Sequence, residues 1–333
     1  MLKVGVVGCG IIAARYVEDS PAFANWEPVA CADLDTEACD AFAATHGLRP
    51  RTFDELIGDD DIDLVLNLTP PRVHHEVVSR ALAAGKHVYT EKPLSATAAE
   101  ARELVEQANA SGLRVGCAPD TFLGSAYETG RRLIDEGAIG DPLGANATML
   151  VGGPDSWHPN AEMFYRAGGG PLLDIAPYYL TAIVALLGRV ESVAGFTGTP
   201  TPERTLGAGP RAGSTIAVEV PTHTATVLKL ESGALATLTV SFEARNQYVS
   251  GLTVFGTEGS LVLPDANAFG GEILLRSGRD GERAVEYETF GAREARGLGI
   301  DDLAQAIVEN RPHRASAELA LHVLETAEAA AAA

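Results

Sequence analysis

A glycine-rich turn follows the first β-branched run of the chain. Residues 8–13 read G-C-G-I-I-A, directly after the apolar run 2–7 and at the start of a helix-like stretch. Glycines permit a tight turn and the close approach of a pyrophosphate, and the N-terminus of the next helix offers free N–H groups and a positive dipole. This strand–turn–helix arrangement predicts a dinucleotide site, although the six residues alone also suit a purely structural turn. The residues expected to contact the dinucleotide are Gly8, Gly10, Ile11 and Ile12.

An acidic residue ends the second predicted strand. Asp33 follows the apolar run 28–32 and stands 20 residues after Ala13, where a carboxylate accepts hydrogen bonds from the ribose hydroxyls of NAD. Asp35 adds a second negative charge, and residues 30–35 contain no arginine to pair with the 2′-phosphate of NADP. The sequence therefore predicts NAD rather than NADP as the cofactor. A solvated loop acid is the alternative for Asp33.

A lysine follows another predicted strand, at the edge where such sheets bind ligands. The tripeptide Glu91-Lys92-Pro93 comes directly after the run 87–90. Lys92 is one of four lysines among 25 basic residues, so most cations of this chain are arginines. A lysine ammonium is a compact charge suited to polarising a hydroxyl or a carbonyl. An exposed charge pair between Glu91 and Lys92 is the alternative.

The hydrophobic pattern that must position these residues changes near residue 121. Before it, β-branched runs alternate with helix-like stretches, which predicts a parallel sheet with helices on both faces. After it, alternating runs separated by turn signals such as Glu231-Ser232-Gly233 predict a mainly antiparallel sheet. We therefore predict an α/β chain with an N-terminal Rossmann dinucleotide-binding domain, residues 1–121, and a C-terminal α+β domain, residues 122–333.

Composition excludes several other classes of protein. The chain has 333 residues and a formal charge of −20, and such acidity repels phosphate backbones, so nucleic-acid binding is not expected. No apolar run approaches the roughly 18 residues of a membrane helix. The glycine-rich run 4–14 does not suit a signal peptide, so we expect a cytoplasmic protein with no membrane partner. Cys9, Cys31, Cys39 and Cys117 lack the spacing of a zinc site or a redox pair, which predicts no metal.

Four stretches of the sequence resemble one family of oxidoreductases. They read V-G-V-V-G-C-G-I-I-A, L-N-L-T-P-P-R-V-H-H, A-L-A-A-G-K-H-V-Y-T-E-K-P-L and G-G-G-P-L-L-D-I-A-P-Y-Y-L. Together they are similar to the Gfo/Idh/MocA oxidoreductases over essentially the whole chain. The resemblance implies an N-terminal NAD(P) domain and a C-terminal substrate domain with a large open antiparallel sheet. It also implies homodimers or homotetramers formed through that sheet, and sugars, polyols or their derivatives as substrates.

The resemblance implies roles for individual residues as well. Lys92 matches the family's E-K-P lysine near the nicotinamide and the reacting oxygen, and Asp174 matches the aspartate of its D-x-x-x-H motif. Tyr178 stands where that motif has histidine, as in the glucose-fructose oxidoreductase and dihydrodiol dehydrogenase branches, where a tyrosine is the proposed acid/base. The remaining cofactor residues implied by the matching motifs are Thr69, Pro70, His74 and Glu91.

Three of these residues fit the chemistry of alcohol oxidation, which needs a base for the hydroxyl proton and a nicotinamide to take the hydride. A tyrosine with its ordinary pKa of about 10 is protonated at neutral pH, and a nearby ammonium would lower that pKa. We therefore hypothesise that Lys92 and Tyr178 form an acid–base pair and that Asp174 orients the substrate hydroxyl. Their i and i+4 spacing places Asp174 and Tyr178 on one face of a predicted helix over 172–187. A core position in that apolar helix is the alternative for Tyr178.

The substrate contacts carry weaker signals. Where many family members have an arginine-rich segment, this chain has Ala118-Pro119-Asp120-Thr121. The candidate contacts are Asp120, His158 and Tyr165. The alternatives are that Asp120 caps a helix and that the other two lie in a surface loop.

The leading function is that of an NAD-dependent dehydrogenase or reductase acting on a sugar or cyclic polyol, and two others remain open. A redox-neutral relative would oxidise its substrate transiently, eliminate or hydrolyse, and reduce again while retaining the cofactor. A catalytically silent relative would bind the cofactor and regulate a partner protein. The presence of Lys92, Asp174 and Tyr178 argues against the silent form.

Overall fold

The computed structural model describes residues 1–278, 281–288 and 294–332. These residues form two compact units. The first comprises Met1–Leu123 and the described part of Phe290–Leu321, and the second comprises the described parts of Gly124–Thr289 and His322–Ala333. This division differs from the predicted one, which placed all of residues 122–333 in the second domain.

A parallel sheet forms the centre of the first unit. Its described strands are β1 (Leu2–Val7), β2 (Trp26–Ala32), β3 (Arg49–Pro50), β4 (Leu64–Asn67), β5 (His87–Thr90) and β6 (Val115–Cys117). Their order, β3-β2-β1-β4-β5-β6, is that of a doubly wound dinucleotide-binding fold. Val6, Val65 and Val88 are fully buried, as expected for strands with helices on both faces. The predicted Rossmann architecture is confirmed.

A larger, mainly antiparallel sheet dominates the second unit. The strands are β7 (Pro142–Leu150), β8 (Val190–Gly198), β9 (Glu203–Thr205), β10 (Thr215–Ala217), β11 (His223–Leu230), β12 (Leu235–Ser241), β13 (Val249–Gly256), β14 (Gly259–Leu263), β15 (Leu274–Ser277) and β16 (Gly281–Ala284). The described strands of the main sheet follow the order β16-β15-β14-β13-β7-β12-β11-β8, and β9 pairs with β10. The β7–β12 pair is parallel, whereas the other neighbours are antiparallel. Buried and exposed side chains alternate along β11, so one face of the sheet is covered and the other is exposed.

Helices cover both sheets. They are α1 (Ile11–Asp19), α2 (Thr36–His46), α3 (Phe53–Gly58), α4 (His74–Ala83), α5 (Ala98–Ser111), α6 (Ser125–Asp135), α7 (Pro171–Asp174), α8 (Ala176–Leu187), α9 (Leu298–Glu309) and α10 (Ala317–Ala332). In the second unit α8 packs on β7 and β12, and α6 packs on β14. No helix within the described ranges is both long and apolar enough to cross a membrane.

One late helix accounts for the difference between the predicted and observed domains. α9 packs against β2 and β6 of the parallel sheet. Cys117 of β6 donates its backbone N–H to the carbonyl of Ala315 at 3.0 Å. The chain therefore returns to the first unit after completing the antiparallel sheet, a long-range contact that local sequence patterns do not encode.

The predicted helix over 172–187 is two helices in the structure. α7 ends at Asp174 and α8 begins at Ala176. Pro177 explains the break, because it has no N–H to donate to the carbonyl of Leu173 and its ring crowds that carbonyl. Asp174 and Tyr178 therefore lie on either side of a break rather than on one continuous helix face, which corrects the prediction.

Candidate active site

The predicted cofactor residues of the first unit lie at one edge of its sheet. Within two residues of the ends of β1, β2, β4 and β5 come Gly8, Asp33, Thr69 and Glu91, respectively. Parallel strands end at a common edge, and this is the edge where doubly wound sheets bind ligands. The fold thus brings together residues that are up to 83 positions apart, from Gly8 to Glu91.

The glycine turn leaves a helix N-terminus open. Gly8 has a φ of +94°, and a Cβ there would lie 2.9 Å from the carbonyl carbon of Leu68. Gly10 is the N-cap of α1 and makes no side-chain cap hydrogen bond, and a Cβ built on it would meet no atom within 4 Å. The first N–H groups of a helix have no partner inside the helix. The turn therefore fits a pyrophosphate, which these groups would bind.

Asp33 is held against the glycine turn by backbone hydrogen bonds. Its Oδ2 accepts the N–H of Cys9 at 2.7 Å, and its Oδ1 accepts the N–H of Asp35 at 2.9 Å. Each carboxylate oxygen can accept a further hydrogen bond. The half-buried side chain is thus oriented and retains acceptor capacity for ribose hydroxyls.

A buried amide that sequence reasoning missed fixes the turn after β4. Asn67 is fully buried, and its Oδ1 accepts the N–H of Thr69 at 3.2 Å and the Thr69 hydroxyl at 2.6 Å. Its Nδ2 donates to the hydroxyl of Thr90 at 2.9 Å. Asn67 therefore joins the ends of β4 and β5. The signal available in the sequence was a polar residue closing an otherwise apolar strand.

His74 supports the cofactor edge from inside the protein. Its Nε2 lies 2.7 Å from the carbonyl oxygen of Thr69, and its Nδ1 lies 2.8 Å from that of Pro93. Burial lowers the pKa of His74, while the two carbonyl contacts oppose that shift. A neutral ring donates to one of the two oxygens, and a ring that carries both protons donates to both. His74, fully buried, thus links the turn after β4, which includes Pro70, to the turn after β5.

Glu91 fixes the backbone that carries Lys92. Its Oε2 accepts the N–H of Lys92 at 3.1 Å, and its Oε1 accepts the hydroxyl of Tyr16 at 3.0 Å. Tyr16 is fully buried on α1, and burial raises the pKa of its phenol well above the usual value. The phenol therefore stays protonated and donates to the carboxylate. Sequence reasoning missed Tyr16, because its spacing in α1 is that of an ordinary core residue.

Asp120 caps a helix, which is one of the two alternatives predicted for it. Its side chain is fully buried, and its Oδ2 accepts the N–H groups of Gly297 at 3.2 Å and Gly299 at 2.9 Å, at the start of α9. Burial raises the pKa of Asp120, against the effect of these hydrogen bonds. Oδ1, by contrast, is buried without a hydrogen-bond partner among the described residues, so the predicted contact of Asp120 with the substrate stays a prediction.

The other two candidate substrate contacts lie in the second unit and differ in burial. Tyr165 is fully buried and donates its hydroxyl to Asp155 Oδ1, so the predicted surface loop is wrong for this residue. His158 is partly exposed, and its ring packs edge-on against Trp157 and Phe164. Of the two, the structure leaves His158 accessible to a ligand.

A buried arginine that sequence reasoning missed organises the surroundings of Tyr165. The Arg204 side chain is fully buried, and its Nη2 lies 2.7 Å from Oε1 of Glu243. Its Nη2 also donates to the carbonyl of Phe242 at 3.1 Å, and its guanidinium lies 5.4 Å from the centre of the Tyr165 ring. A buried charge of this kind is stable when it is paired and hydrogen-bonded. No local pattern distinguishes Arg204 from the other arginines of the chain.

The two catalytic candidates of the second unit, Asp174 and Tyr178, differ in their exposure to water. Asp174, the last residue of α7, is half-buried, and Tyr178, in the first turn of α8, is 8% exposed. Lys92, in the first unit, is also half-buried. Limited access to water strengthens electrostatic interactions at these side chains.

The first unit has the features of a nicotinamide-dinucleotide-binding domain of an oxidoreductase: the strand order, the open glycine turn and the oriented acid. Residues 2–118 match the family described as oxidoreductases with an NAD-binding Rossmann fold, and residues 127–262 match the GFO/IDH/MocA C-terminal domain. The chain belongs to the Gfo/Idh/MocA family of oxidoreductases. The predicted family, fold class, NAD cofactor and enzyme class are confirmed.

Similar proteins include reductases and dehydrogenases of sugars. The chain is 34% identical over 274 residues to the dTDP-3,4-didehydro-2,6-dideoxy-alpha-D-glucose 3-reductase of Streptomyces violaceoruber. The aligned region covers 80% of this chain and 73% of that protein. The chain is 29% identical over 293 residues to the levoglucosan dehydrogenase of Pseudarthrobacter phenanthrenivorans, covering 78% and 73%. A solved structure of levoglucosan dehydrogenase in complex with NADH and levoglucosan has a TM-score of 0.86 at 25% identity, covering 99% of this chain and 96% of that one.

Proposed function

We propose that this enzyme uses NAD to interconvert a secondary hydroxyl and a carbonyl on a sugar or a cyclic polyol. The observation that carries the proposal is the common sheet edge that holds the open glycine turn, the oriented Asp33 and Lys92. Similarity to a sugar-nucleotide reductase and to levoglucosan dehydrogenase supports the substrate class.

Three residues would act on the reacting hydroxyl or carbonyl group. Bound NAD supplies hydride acceptance or donation. Lys92 would hold a positive charge at the reacting oxygen, Tyr178 would take the hydroxyl proton during oxidation and return it during reduction, and Asp174 would orient the hydroxyl. A positioned acid–base group of this kind contributes roughly 10²- to 10⁴-fold to a rate. The family motifs that Lys92, Asp174 and Tyr178 match support these roles.

The cofactor preference can be measured by titrating the protein with NADH and NADPH while following nicotinamide fluorescence. We expect NADH to bind at least about tenfold more tightly, because a 2′-phosphate would face the Asp33 carboxylate. Asp33→Asn should reduce that ratio to near unity. Asp61→Asn is the matched control: Asp61 is exposed and pairs with Lys3, near the start of β1, so its loss should leave the ratio unchanged.

Two results would argue against the proposed cofactor site. Tighter binding of NADPH would contradict the role given to Asp33. Binding of neither dinucleotide would remove the basis of the proposed hydride transfer. If NADH binds, a panel of sugars and polyols with NAD, read by nicotinamide absorbance, tests the substrate class.

We also propose that the chain forms a homodimer or homotetramer through the exposed face of the antiparallel sheet. Cross-strand pairing puts Phe196, Val227 and Leu235 on that face, where they are 84%, 47% and 55% exposed. An exposed apolar surface of this kind is typical of a protein interface.

If the proposed interface is correct, a mutation in it should lower the mass of the particle in solution. The wild-type particle should have two or four times the 34.8 kDa chain mass in light scattering, and Phe196→Glu should shift it towards the single chain. The matched control is Val308→Glu on α9, since Val308 is 83% exposed but lies in the first unit. A monomeric wild type, or equal effects of the two changes, would contradict the proposal.

A further inference from the structure

Three of the four cysteines converge beside the glycine turn. The Sγ atoms of Cys9, Cys31 and Cys39 all lie within 4.8 Å of one another, and the Cys31–Cys39 pair is 3.8 Å apart. Cys9 belongs to the turn after β1, Cys31 to β2 and Cys39 to α2. Linear spacing predicted no metal site, because it does not show that β1 pairs with β2 or that α2 packs on β2.

The sulfur positions are close to those of a metal thiolate site. In a tetrahedral zinc thiolate the Zn–S distance is about 2.3 Å, which places neighbouring sulfurs about 3.8 Å apart. The three thiols otherwise make long contacts, such as Cys9 Sγ to the carbonyl of Ala32 at 3.8 Å and Cys39 Sγ to the carbonyl of Cys31 at 3.6 Å. Contacts this weak are readily exchanged for metal–sulfur bonds.

We propose that Cys9, Cys31 and Cys39 form a binding site for a thiophilic d¹⁰ cation of the Zn²⁺, Cd²⁺ or Cu⁺ class. Cys31 and Cys39 are buried, whereas Cys9 is partly exposed and gives an ion access to the cluster. Each thiol loses its proton to solvent as it binds, because the thiolate is the ligand. The carboxylate of Asp33 accepts the N–H of Cys9 at 2.7 Å, and its negative charge favours a cation nearby.

Occupancy of this site should oppose cofactor binding. Three thiolates with one divalent cation carry a net charge of −1, which is more negative than a metal-free cluster in which all three thiols are protonated. That charge would lie on the turn expected to receive the pyrophosphate. We therefore expect the divalent ion to weaken NADH binding about tenfold, since like charges repel strongly in a partly buried site. This second effect rests on the cofactor site, whereas the metal site itself does not.

Cadmium is a suitable probe, because its thiolate complexes absorb in the ultraviolet. Zn²⁺ competes for the same thiolates, and its complexes lack that absorbance. The reduced, metal-free wild-type chain should bind one Cd²⁺ with a thiolate charge-transfer band, and Zn²⁺ should abolish that band. X-ray absorption of the loaded wild type should show three sulfur neighbours, a readout that needs no variant. A first shell of oxygen or nitrogen, or no stoichiometric binding, would overturn the proposal.

Variants assign the ligands. Cys9→Ser, Cys31→Ser and Cys39→Ser should each weaken Cd²⁺ binding by more than the roughly 10- to 100-fold that a change in the outer shell of a metal site costs. Cys117→Ser is the matched control: Cys117 is buried but its thiol contacts the carbonyls of Glu91 and Ala118. Circular dichroism confirms that each variant is folded. Equal weakening in the control, or no weakening in folded Cys9→Ser, would contradict the assignment.

The effect on the cofactor is measured separately. NADH is titrated into metal-free and Cd²⁺-loaded wild type, and the loaded protein should bind about tenfold more weakly. Cys9→Ser should remove the difference between the two titrations. Equal NADH affinity with and without bound Cd²⁺ would overturn the coupling, and failure of the metal-free protein to bind NADH would overturn the cofactor site instead.

Discussion

Replacing Lys92 with methionine should lower kcat by about 10³-fold while leaving NADH binding within about threefold of wild type, because in the proposed mechanism the ammonium stabilises the reacting oxygen. Methionine retains most of the apolar stem and removes the ammonium. Glu91 accepts the backbone N–H of Lys92 and the hydroxyl of Tyr16, and both hydrogen bonds are retained in the variant, so the turn should keep its conformation. The measurements are steady-state turnover with the best substrate of the panel and fluorescence titration with NADH.

The same substitution at Lys3 is the control for this experiment. Lys3 lies in β1, near the opposite edge of the same sheet, and its exposed side chain pairs with Asp61 at 3.8 Å. An exposed pair of this kind contributes at most about 1 kcal/mol to stability, so Lys3→Met should retain full turnover. If Lys92→Met is as active as Lys3→Met, Lys92 has no part in the chemistry. The alternative of a catalytically silent protein that binds the cofactor and regulates a partner then gains support.

The architecture could be predicted from sequence because its signals are local. Alternation of β-branched runs and helix-like stretches requires a parallel sheet, and the ends of such strands meet at one edge. The positions of Gly8, Asp33 and Lys92 at that edge follow directly from this rule. The sequence also contains the signal for the break at Pro177, since a proline inside a helix pattern interrupts the helix.

The support for the site could not be predicted, because it depends on pairs distant in sequence. Asp120 accepts the N–H of Gly297, 177 residues away, and Tyr16 donates to Glu91, 75 residues away. The cysteine cluster has the same origin, since Cys9 meets Cys31 and Cys39 through strand pairing and helix packing. Spacing rules for metal and redox sites detect ligands on a single loop or helix, and they miss ligands assembled by a sheet.

The largest effect expected in the second unit is that of Tyr178→Phe, which removes one oxygen. We expect kcat to fall by about 10²- to 10⁴-fold, the contribution of a positioned acid–base group, with NADH affinity unchanged. Tyr179→Phe is the matched control one residue further on. Tyr179 donates its hydroxyl to Asp265 at 2.7 Å, so its loss should cost about 1 kcal/mol of stability and leave turnover intact.

A variant that combines Lys92→Met with Tyr178→Phe tests whether the two residues act together in one step. If the lysine serves to activate the phenol, Lys92→Met should have little further effect once the phenol is absent, and the two losses will not multiply. Losses that multiply would mean that the two residues act in independent steps. Full turnover by Tyr178→Phe would remove the tyrosine from the chemistry, and Asp174, half-buried at the end of α7, would become the first candidate for the base.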